Sequence, residues 1–493
     1  TCKGQRLNSK ILSSKIMSKN ISDFTQMTIK ENLEFLNKLE DPTAKYIIDP
    51  LKKQLEALEY IGLSYLTLNR VTTTLSGGEA QRLKLIRHLN SSLSDLVYII
   101  DEPSVGLHPE DIAKINEILK SLKDKGNTVL IVEHDPDVIK EGDYIIDMGP
   151  GLGKNGGEIT FEGTYNELLS SNTSTGNALR NKHNLKENIR EANHFYNIGP
   201  VTQNNLNNVK TSIPKHVLTV LTGVAGSGKS TLVKAGFENN DHTIFIDQKA
   251  VQGSNRSNLL TYLGVFDSVR SFFSKETGLN KAMFSYNSKG ACPNCGGKGY
   301  IKTELAFMGD FSQTCEVCHG KRYKQEVLDA TIDGYSIADV LDLTVDEGII
   351  FFDKKNDIKS KLQSVSKTGL NYMSLGQPLS TLSGGEIQRV KLAQHLDEEI
   401  KNSIFIFDEP TTGLHESDIP ILMECFDDLI DQNNTVILIE HNLSIMCEAD
   451  WIIDVGPGPG LDGGKVQFSG TPKNFIDSSE TLTSKHLKRY INQ

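Results

Sequence analysis

A glycine-rich segment in the middle of the chain has the residue types and spacing of a phosphate-binding loop. It follows a β-rich run, precedes a helical pattern over Leu232–Ala235, and reads Gly223-Val224-Ala225-Gly226-Ser227-Gly228-Lys229-Ser230-Thr231. Such glycines let successive backbone amides point into one concavity, and the N-terminus of the next helix adds partial positive charge. Lys229 would bridge the β- and γ-phosphates of a nucleotide, and the Ser230 hydroxyl would bind Mg²⁺.

Two carboxylates follow a predicted strand beside this loop. Asp408 and Glu409 end the apolar run Ile404–Phe407. Asp408 would hold Mg²⁺, directly or through water, and Glu409 would polarise a water molecule for in-line attack on the γ-phosphate. His441, after the next strand, is predicted to sense the γ-phosphate. Gln248 is a candidate link between Mg²⁺ and the segment inserted after it.

The chain repeats itself at a constant offset. Leu75 and Leu382 each open the pentad Leu-Ser-Gly-Gly-Glu, 307 positions apart. Further pairs share the offset: Asp101-Glu102 with Asp408-Glu409, Glu133-His134 with Glu440-His441, and the segments that begin at Asp147 and Asp454. Chance does not produce this agreement, so we predict two homologous lobes. This sequence contains no phosphate loop for the first copy.

Each pentad predicts the start of a helix, because its Ser and Glu have capping-box spacing. The residues concerned are Ser76, Gly77, Gly78 and Glu79 in the first copy, and Ser383, Gly384, Gly385 and Glu386 in the second. Paired glycines leave the N-terminal amides uncovered, so such a helix end favours an anion. We expect the opposing lobe to supply it.

Four cysteines have the spacing of a zinc site. Cys292, Cys295, Cys315 and Cys318 form the pattern C-x₂-C-x₁₉-C-x₂-C. Two close pairs suit a tetrahedral Zn²⁺ thiolate site, and binding would contribute on the order of 10 kcal/mol to local folding. By contrast, Cys425 and Cys447 lie in apolar helical patterns and are predicted to be ordinary buried thiols.

A remnant of a second cysteine set stands at the start of the sequence. The segment from Cys2 to Leu7 aligns with that from Cys318 to Tyr323. Cys2 is therefore interpreted as the last member of a similar set whose partners lie upstream. We expect the chain to be the C-terminal part of a longer protein, whose upstream half would be a partner of this one.

Composition excludes few classes of protein. The net charge is −11, with 38% apolar and 23% charged residues, as in ordinary globular proteins. A negative total argues against a uniformly basic nucleic-acid coat but leaves room for a local basic groove. No apolar run approaches the roughly 20 residues of a membrane helix. A cytoplasmic protein without a membrane partner is expected.

Short β-rich runs alternate with helical patterns and predict an α/β fold with a parallel sheet. The predicted strands are Val97–Ile100, Thr128–Val132, Val217–Thr222, Thr243–Ile246, Ile404–Phe407 and Thr435–Ile439, and the clearest helices are Glu110–Lys123 and Ile419–Asp431. The expected units are 1–95, a remnant of a cysteine module with the first pentad; 96–190, the C-terminal part of the first lobe; 191–248, the phosphate-loop part of the second; 249–395, the cysteine module with the second pentad; and 396–485, the C-terminal part of the second lobe.

These motifs together resemble the ABC ATPase set of phosphate loop, signature pentad, Asp-Glu pair and switch histidine. The resemblance implies tandem P-loop ATPase cassettes with an inserted Cys₄ zinc module and a helical signature region. It also implies that ATP and Mg²⁺ lie between one phosphate loop and the other lobe's signature. Gly223–Thr231 would face Ser76–Glu79, with Gln248, Asp408, Glu409 and His441 around it. The twin site would use Ser383–Glu386 with Asp101, Glu102 and His134.

A zinc module between phosphate loop and signature is similar to that of the excinuclease UvrA family, which recognises damage in bacterial nucleotide excision repair. The matching sequence segments include Phe284-Ser285-Tyr286-Asn287 and Ser374-Leu375-Gly376-Gln377. The resemblance covers essentially the whole chain. It implies DNA contact through the zinc module, lesion discrimination driven by ATP turnover, a homodimer and a repair partner subunit. Nearby basic residues suit phosphate contacts, namely Lys281, Lys289, Lys298, Lys302, Lys321 and Arg322.

Alternatives stay open at this point. Sixteen residues separate Thr231 from Gln248, a compactness similar to shorter paralogues of the repair protein, some of them linked to drug resistance. A transporter motor is a more distant alternative, which the Cys₄ insertion argues against. A ribosome-acting ABC protein would join its cassettes by a long charged helical linker and would lack the cysteine set.

Overall fold

The structure, a computed structural model, describes residues 4–39, 41–75, 77–89, 93–151, 153, 156–181, 183–248, 257–305, 309–396, 398 and 400–492. We call residues 4–190 the first lobe and residues 191–492 the second lobe. Within these ranges no helix is both long and apolar enough to cross a membrane. The division into five units stays a prediction.

The first lobe begins with helices and ends in an α/β part. The helices are α1 (Ser9–Leu12), α2 (Ile21–Gln26), α3 (Ile29–Asn37), α4 (Lys45–Tyr60) and α5 (Gly77–Leu89). The α/β part contains β1 (Val97–Asp101), α6 (Pro109–Asp124), β2 (Thr128–Val132), α7 (Pro136–Ile139), β3 (Ile145–Gly149), β4 (Glu158–Gly163), α8 (Tyr165–Ser170) and α9 (Ser174–Arg180). Apolar faces of α3, α4, α5 and α6 share one core, which includes Leu33, Leu55 and Ile115.

The second lobe is one α/β unit with a long insertion. Its first part contains β5 (Phe195–Gln203), β6 (Leu206–Pro214), β7 (Leu218–Thr222), α10 (Lys229–Phe237) and β8 (Thr243–Ile246). The insertion contains α11 (Leu259–Tyr262), α12 (Phe266–Thr277), β9 (Tyr300–Leu305), β10 (Gly309–Thr314), α13 (Gln325–Asp329), β11 (Thr331–Ile332), β12 (Tyr335–Ser336), α14 (Ile337–Asp342), α15 (Val345–Phe351), α16 (Asn356–Lys367) and α17 (Gly384–Leu396). The last part contains β13 (Ile404–Asp408), α18 (Ile419–Asp431), β14 (Thr435–Ile439), α19 (Leu443–Glu448), β15 (Trp451–Gly456), β16 (Lys465–Gly470), α20 (Pro472–Ser478) and α21 (Leu482–Ile491).

A six-stranded sheet organises the second lobe, in the order β16-β15-β7-β14-β13-β8. All neighbours are parallel except β16, which runs antiparallel to β15. Its central strands are continuous apolar runs because helices cover both faces; Ile406, for example, is 1% exposed. The carboxyl ends of β7, β13 and β14 therefore meet at one edge, where the phosphate loop and the predicted carboxylates follow them.

The first lobe repeats the last part of the second lobe but not its central strand. At the offset of 307, β1, β2, β3 and β4 correspond to β13, β14, β15 and β16. In the second lobe β7 joins β14 to β15, whereas the described part of the first lobe has two separate pairs, β1-β2 and β3-β4. Apolar side chains there face outward, with Ile99 71% and Leu130 49% exposed. The prediction of tandem homologous lobes is confirmed, and their sheets differ in completeness.

Candidate nucleotide site and candidate metal centre

The phosphate loop lies between β7 and α10 in a backbone conformation that requires glycine. Gly223 has φ +128°, and a Cβ there would lie 1.9 Å from the carbonyl oxygen of Val455. The Nζ of Lys229 donates hydrogen bonds to the carbonyl oxygens of Gly223 (2.8 Å) and Val224 (3.0 Å). Lys229 is buried, and this burial lowers its pKa. A desolvated ammonium group at the N-terminus of α10 suits an anionic ligand.

The predicted magnesium residues come together at the sheet edge. Asp408 is the last residue of β13, and the Oγ of Ser230 donates a hydrogen bond of 3.4 Å to its Oδ1. Burial raises the pKa of Asp408, an effect that a nearby divalent cation would offset. Gln248 also lies here, because its Nε2 donates to the carbonyl oxygen of Glu409 (3.3 Å) and to Thr412 Oγ1 (2.9 Å). The hydroxyl and the carboxylate are hard oxygen ligands of the kind that Mg²⁺ takes.

Glu409 is held in a strained position at the lobe interface. Its φ is +53°, and Glu102, its counterpart in the first lobe, has φ +44°. A left-handed backbone at a non-glycine residue costs energy and is typical of functional sites. Burial, followed by the charge of Asp408, raises the pKa of the Glu409 carboxyl. The Oε2 of Glu409 lies 2.7 Å from the position of a Cβ on Gly106 of the first lobe, so the opposing lobe closes over this carboxylate.

His441 lies beside this cluster and has an unpaired ring nitrogen. Burial lowers its pKa well below the usual value, so the ring is neutral. Its Nδ1 and the Oγ of Ser227 are buried without a hydrogen-bond partner among the described residues. Buried polar atoms normally have partners. Two unpaired atoms at a phosphate loop therefore fit a polar ligand such as a nucleotide phosphate.

The signature region of the first lobe contacts the phosphate loop of the second. Ser76 lies outside the described residues, but Gly77 and Gly78 begin α5 and Glu79 is buried in its first turn. The region's Tyr65 packs its ring against Gly226. Tyr65 therefore lies between Gly226 of the loop and the pentad, because its hydroxyl donates a hydrogen bond of 2.6 Å to Glu79 Oε1. The direct facing of loop and opposing pentad stays a prediction.

The second pentad forms the predicted capping box. The Ser383 backbone N–H donates to Glu386 Oε2 (2.8 Å), and the Glu386 N–H donates to Ser383 Oγ (3.2 Å). Gly384 and Gly385 therefore open α17 with their amides at its N-terminus. The first lobe brings its own predicted residues together. Glu102 follows Asp101, the last residue of β1, and its Oε1 lies 3.9 Å from His134 Nδ1.

The sequence motifs did not predict two hydrogen-bonded His–Thr–Asp chains between the lobes. His108 Nε2 lies 3.0 Å from Thr483 Oγ1, and this hydroxyl donates to Asp454 Oδ1 at 3.3 Å. The other lobe repeats the arrangement at 3.2 and 2.7 Å with His415, Thr175 and Asp147. The signal was present, because the tripeptide Gly-Leu-His follows both Asp-Glu pairs at the same offset.

The four cysteines of the insertion form a compact buried cluster. Their Sγ atoms all lie within 4.8 Å of one another, with 4.0 Å between Cys292 and Cys315 and 3.7 Å between Cys295 and Cys318. Tetrahedral Zn²⁺ with Zn–S bonds of about 2.3 Å separates its sulfurs by about 3.8 Å. The backbone N–H of Gly299 donates to Cys295 Sγ (3.2 Å), as around bound thiolates. The donor set fits zinc. Cys2 lies outside the described residues.

Comparison with known proteins agrees with this arrangement. The sequence model of the ABC transporter family matches residues 206–412. UvrABC system protein A of Clostridium perfringens is 42% identical over 99% of this chain and 56% of its own length. The protein of the same name from Bacillus subtilis is 41% identical over 100% and 56%. The chain belongs to the UvrABC system protein A family. It spans little more than half the length of these curated relatives.

A solved structure supports the same assignment. The crystal structure of UvrA2 from Deinococcus radiodurans is similar with a TM-score of 0.93 and 37% identity, covering 99% of this chain and 66% of that one. The tandem ABC-type fold and the family resemblance predicted from the motifs are therefore confirmed.

Proposed function

We propose that this chain binds and hydrolyses ATP between its two lobes and uses that turnover to scan DNA for damage, as a component of nucleotide excision repair. The observation that carries the proposal is the approach of the first lobe to this site, where Tyr65 packs on Gly226 of the phosphate loop and Gly106 lies against Glu409. The family relationship supports repair as the setting. An interlobe site also makes the distance between lobes depend on the nucleotide.

Each residue of the site has a role that its position supports. Backbone amides of Gly223–Thr231 and the ammonium of Lys229 would bind the phosphates, and Ser230 with Asp408 would hold Mg²⁺. Mg²⁺, when bound, neutralises charge that develops on the phosphate oxygens. Glu409 would accept a proton from the attacking water, and His441 would donate a hydrogen bond to the γ-phosphate. Ser76–Glu79 of the first lobe would complete the site.

A twin site would require a further segment. The gap between β2 and β3, and the exposed apolar residues beside it, suit a central strand with its own phosphate loop. We assign that segment to an upstream half of the same protein. Asp101, Glu102, His134 and Ser383–Glu386 would then form the second ATP site. A homodimer also belongs to this proposal, as does a repair partner protein.

The zinc module would contact DNA. Part of its basic set is committed within the chain, because Lys281 pairs with Asp267 and Lys321 pairs with Asp339. Lys289 and Lys298 are exposed and suit phosphate contacts, whose strength falls with salt. Zn²⁺ bound by Cys292, Cys295, Cys315 and Cys318 would fix the module's shape.

The ATP site is tested by two substitutions. Lys229→Ala should abolish nucleotide binding, because no other buried ammonium group takes its place among the described residues at the loop. Glu409→Gln should bind ATP normally and trap it unhydrolysed, whereas Glu424→Gln, at an exposed carboxylate of α18, should hydrolyse ATP normally. Normal turnover by the Glu409→Gln variant would exclude Glu409 as the base.

DNA scanning is tested by titrating intact and lesion-bearing duplexes across a salt series. Lys298→Ala should weaken binding to both and reduce the salt slope by about 1. Lys354→Ala, which is exposed but lies outside the cysteine segment 292–318, should not. Preference for the lesion supports the repair role. Equal binding to both duplexes would favour the drug-resistance paralogue instead.

A further inference from the structure

Tyr65 of the first lobe lies directly on the phosphate loop of the second lobe. A Cβ on Gly226 would lie 2.9–3.1 Å from three atoms of the Tyr65 ring, and a Cβ on Gly460 would lie 2.7 Å from the Tyr65 Cβ. The two glycines form one surface, because the Gly460 N–H donates to the Gly226 carbonyl oxygen at 3.0 Å. An aromatic ring fits so closely here only because both positions lack a side chain.

The hydroxyl of Tyr65 connects this contact to the signature helix. It donates a hydrogen bond of 2.6 Å to Oε1 of Glu79, which is buried in the first turn of α5. A hydrogen bond to a buried carboxylate is of the stronger, charge-assisted kind. The ring and the hydroxyl therefore contact different lobes.

The second lobe contains the same unit. Tyr372, at the offset of 307, donates to Glu386 Oε1 at 2.7 Å, and its Cβ lies 3.1 Å from a Cβ position on Gly153 of the first lobe. The other oxygen of Glu386 accepts the backbone N–H of Ser383. The carboxylate thus links a tyrosine on one side to the signature serine on the other.

We propose that Tyr65 is a positioning residue that sets the signature turn of the first lobe at the distance from the phosphate loop where it recognises the γ-phosphate. The inference rests on the proposed ATP site. Because ADP has no γ-phosphate, the signature turn contributes little to binding it. Tyr65 therefore favours ATP over ADP, whereas a purely structural tyrosine would affect both nucleotides alike.

The test is calorimetric titration of the full chain with a non-hydrolysable ATP analogue and with ADP. Tyr65→Phe keeps the ring on Gly226 and removes the bond to Glu79. The affinity for the ATP analogue should fall about tenfold, the size expected for one charge-assisted hydrogen bond, and that for ADP should change less than about twofold. Tyr372→Phe removes the equivalent bond where this sequence places no phosphate loop opposite, and should leave the ratio unchanged.

A double substitution tests the route through Glu79. If Tyr65 acts through that carboxylate, Tyr65→Phe should have little further effect in a Glu79→Gln background; two losses that simply multiply would overturn the route. An equal loss of ATP and ADP affinity in Tyr65→Phe, or an unchanged ratio, would overturn the inference. Tight nucleotide binding by Lys229→Ala would instead refute the ATP site itself.

Discussion

Replacing Gly106 with alanine should lower the rate of ATP hydrolysis much more than it lowers the stability of the protein. Gly106 has φ +66°, and its counterpart Gly413 has φ +69°. A Cβ on Gly106 would meet Glu409 Oε2 at 2.7 Å, whereas a Cβ on Gly413 would meet the nearest oxygen of Glu102 at 3.7 Å. Gly413→Ala is therefore a matched control with the same backbone strain and no close contact.

The two substitutions share one cost and differ in another. Alanine in the left-handed conformation costs about 1–2 kcal/mol in either lobe. At Gly106 the Glu409 carboxylate must also retreat by roughly 0.5–1 Å to reach ordinary contact. It is the end of a side chain, so the retreat adds little to the cost in stability. A displacement of about 1 Å of a catalytic group lowers the rate by up to about 10²-fold.

We expect Gly106→Ala to reduce kcat for ATP hydrolysis by about 10–100-fold, or about 1.4–2.7 kcal/mol. Gly413→Ala should retain kcat within about threefold, with a similar fall in Tm. A steady-state phosphate-release assay and a thermal melt measure the two quantities. Equal loss of kcat in both variants would show that backbone strain, rather than contact with Glu409, controls the rate.

Two further predictions concern the metal and the interlobe histidine His108. Cys292→Ser should release zinc and weaken DNA binding while ATP still binds, and Cys425→Ser, a buried thiol of α18, should retain the metal; zinc retained by Cys292→Ser in atomic absorption would exclude the site. Burial lowers the pKa of His108 to about 3, from about 6.5 in the unfolded chain. Between about pH 7.5 and 5 the unfolded state gains a proton that the folded state does not, so the folded state loses about 2 kcal/mol of stability. The measurement is the denaturant midpoint at both pH values. The fall in stability should be about 2 kcal/mol smaller in His108→Gln, and a fall as large as that of the original protein would contradict the buried, neutral state of His108.

The elements of the sheet could be read from the sequence because each is a local pattern. Thr128–Val132, Thr243–Ile246 and Thr435–Ile439 have the predicted bounds, since each is a short apolar run that begins with threonine and is followed by an acidic residue. The cysteine cluster was equally accessible, because C-x₂-C spacing fixes how a pair of thiols can face one ion. The predicted buried thiols Cys425 and Cys447 are 3% and 2% exposed.

Contacts between lobes could not be read in the same way. His108 meets Thr483, and Tyr65 meets Gly226, across long separations, and periodicity describes only one element at a time. The strained backbone of Glu409 was also hidden, because nothing in its sequence neighbourhood requires φ above zero. The 307-residue repeat contained part of the answer, since side chains that recur in both lobes beside the Asp-Glu pairs are candidates for symmetric contacts.

The first-lobe contacts at the proposed ATP site come from segments that share one apolar core. Tyr65 precedes α5, whereas Gly106 and His108 lie between β1 and α6. Tyr65 and Leu107 both pack on the core shared by α3, α4, α5 and α6. It follows that ATP binding at Lys229 should be measurable with this chain, because the first-lobe residues that approach the site rest on one packed core.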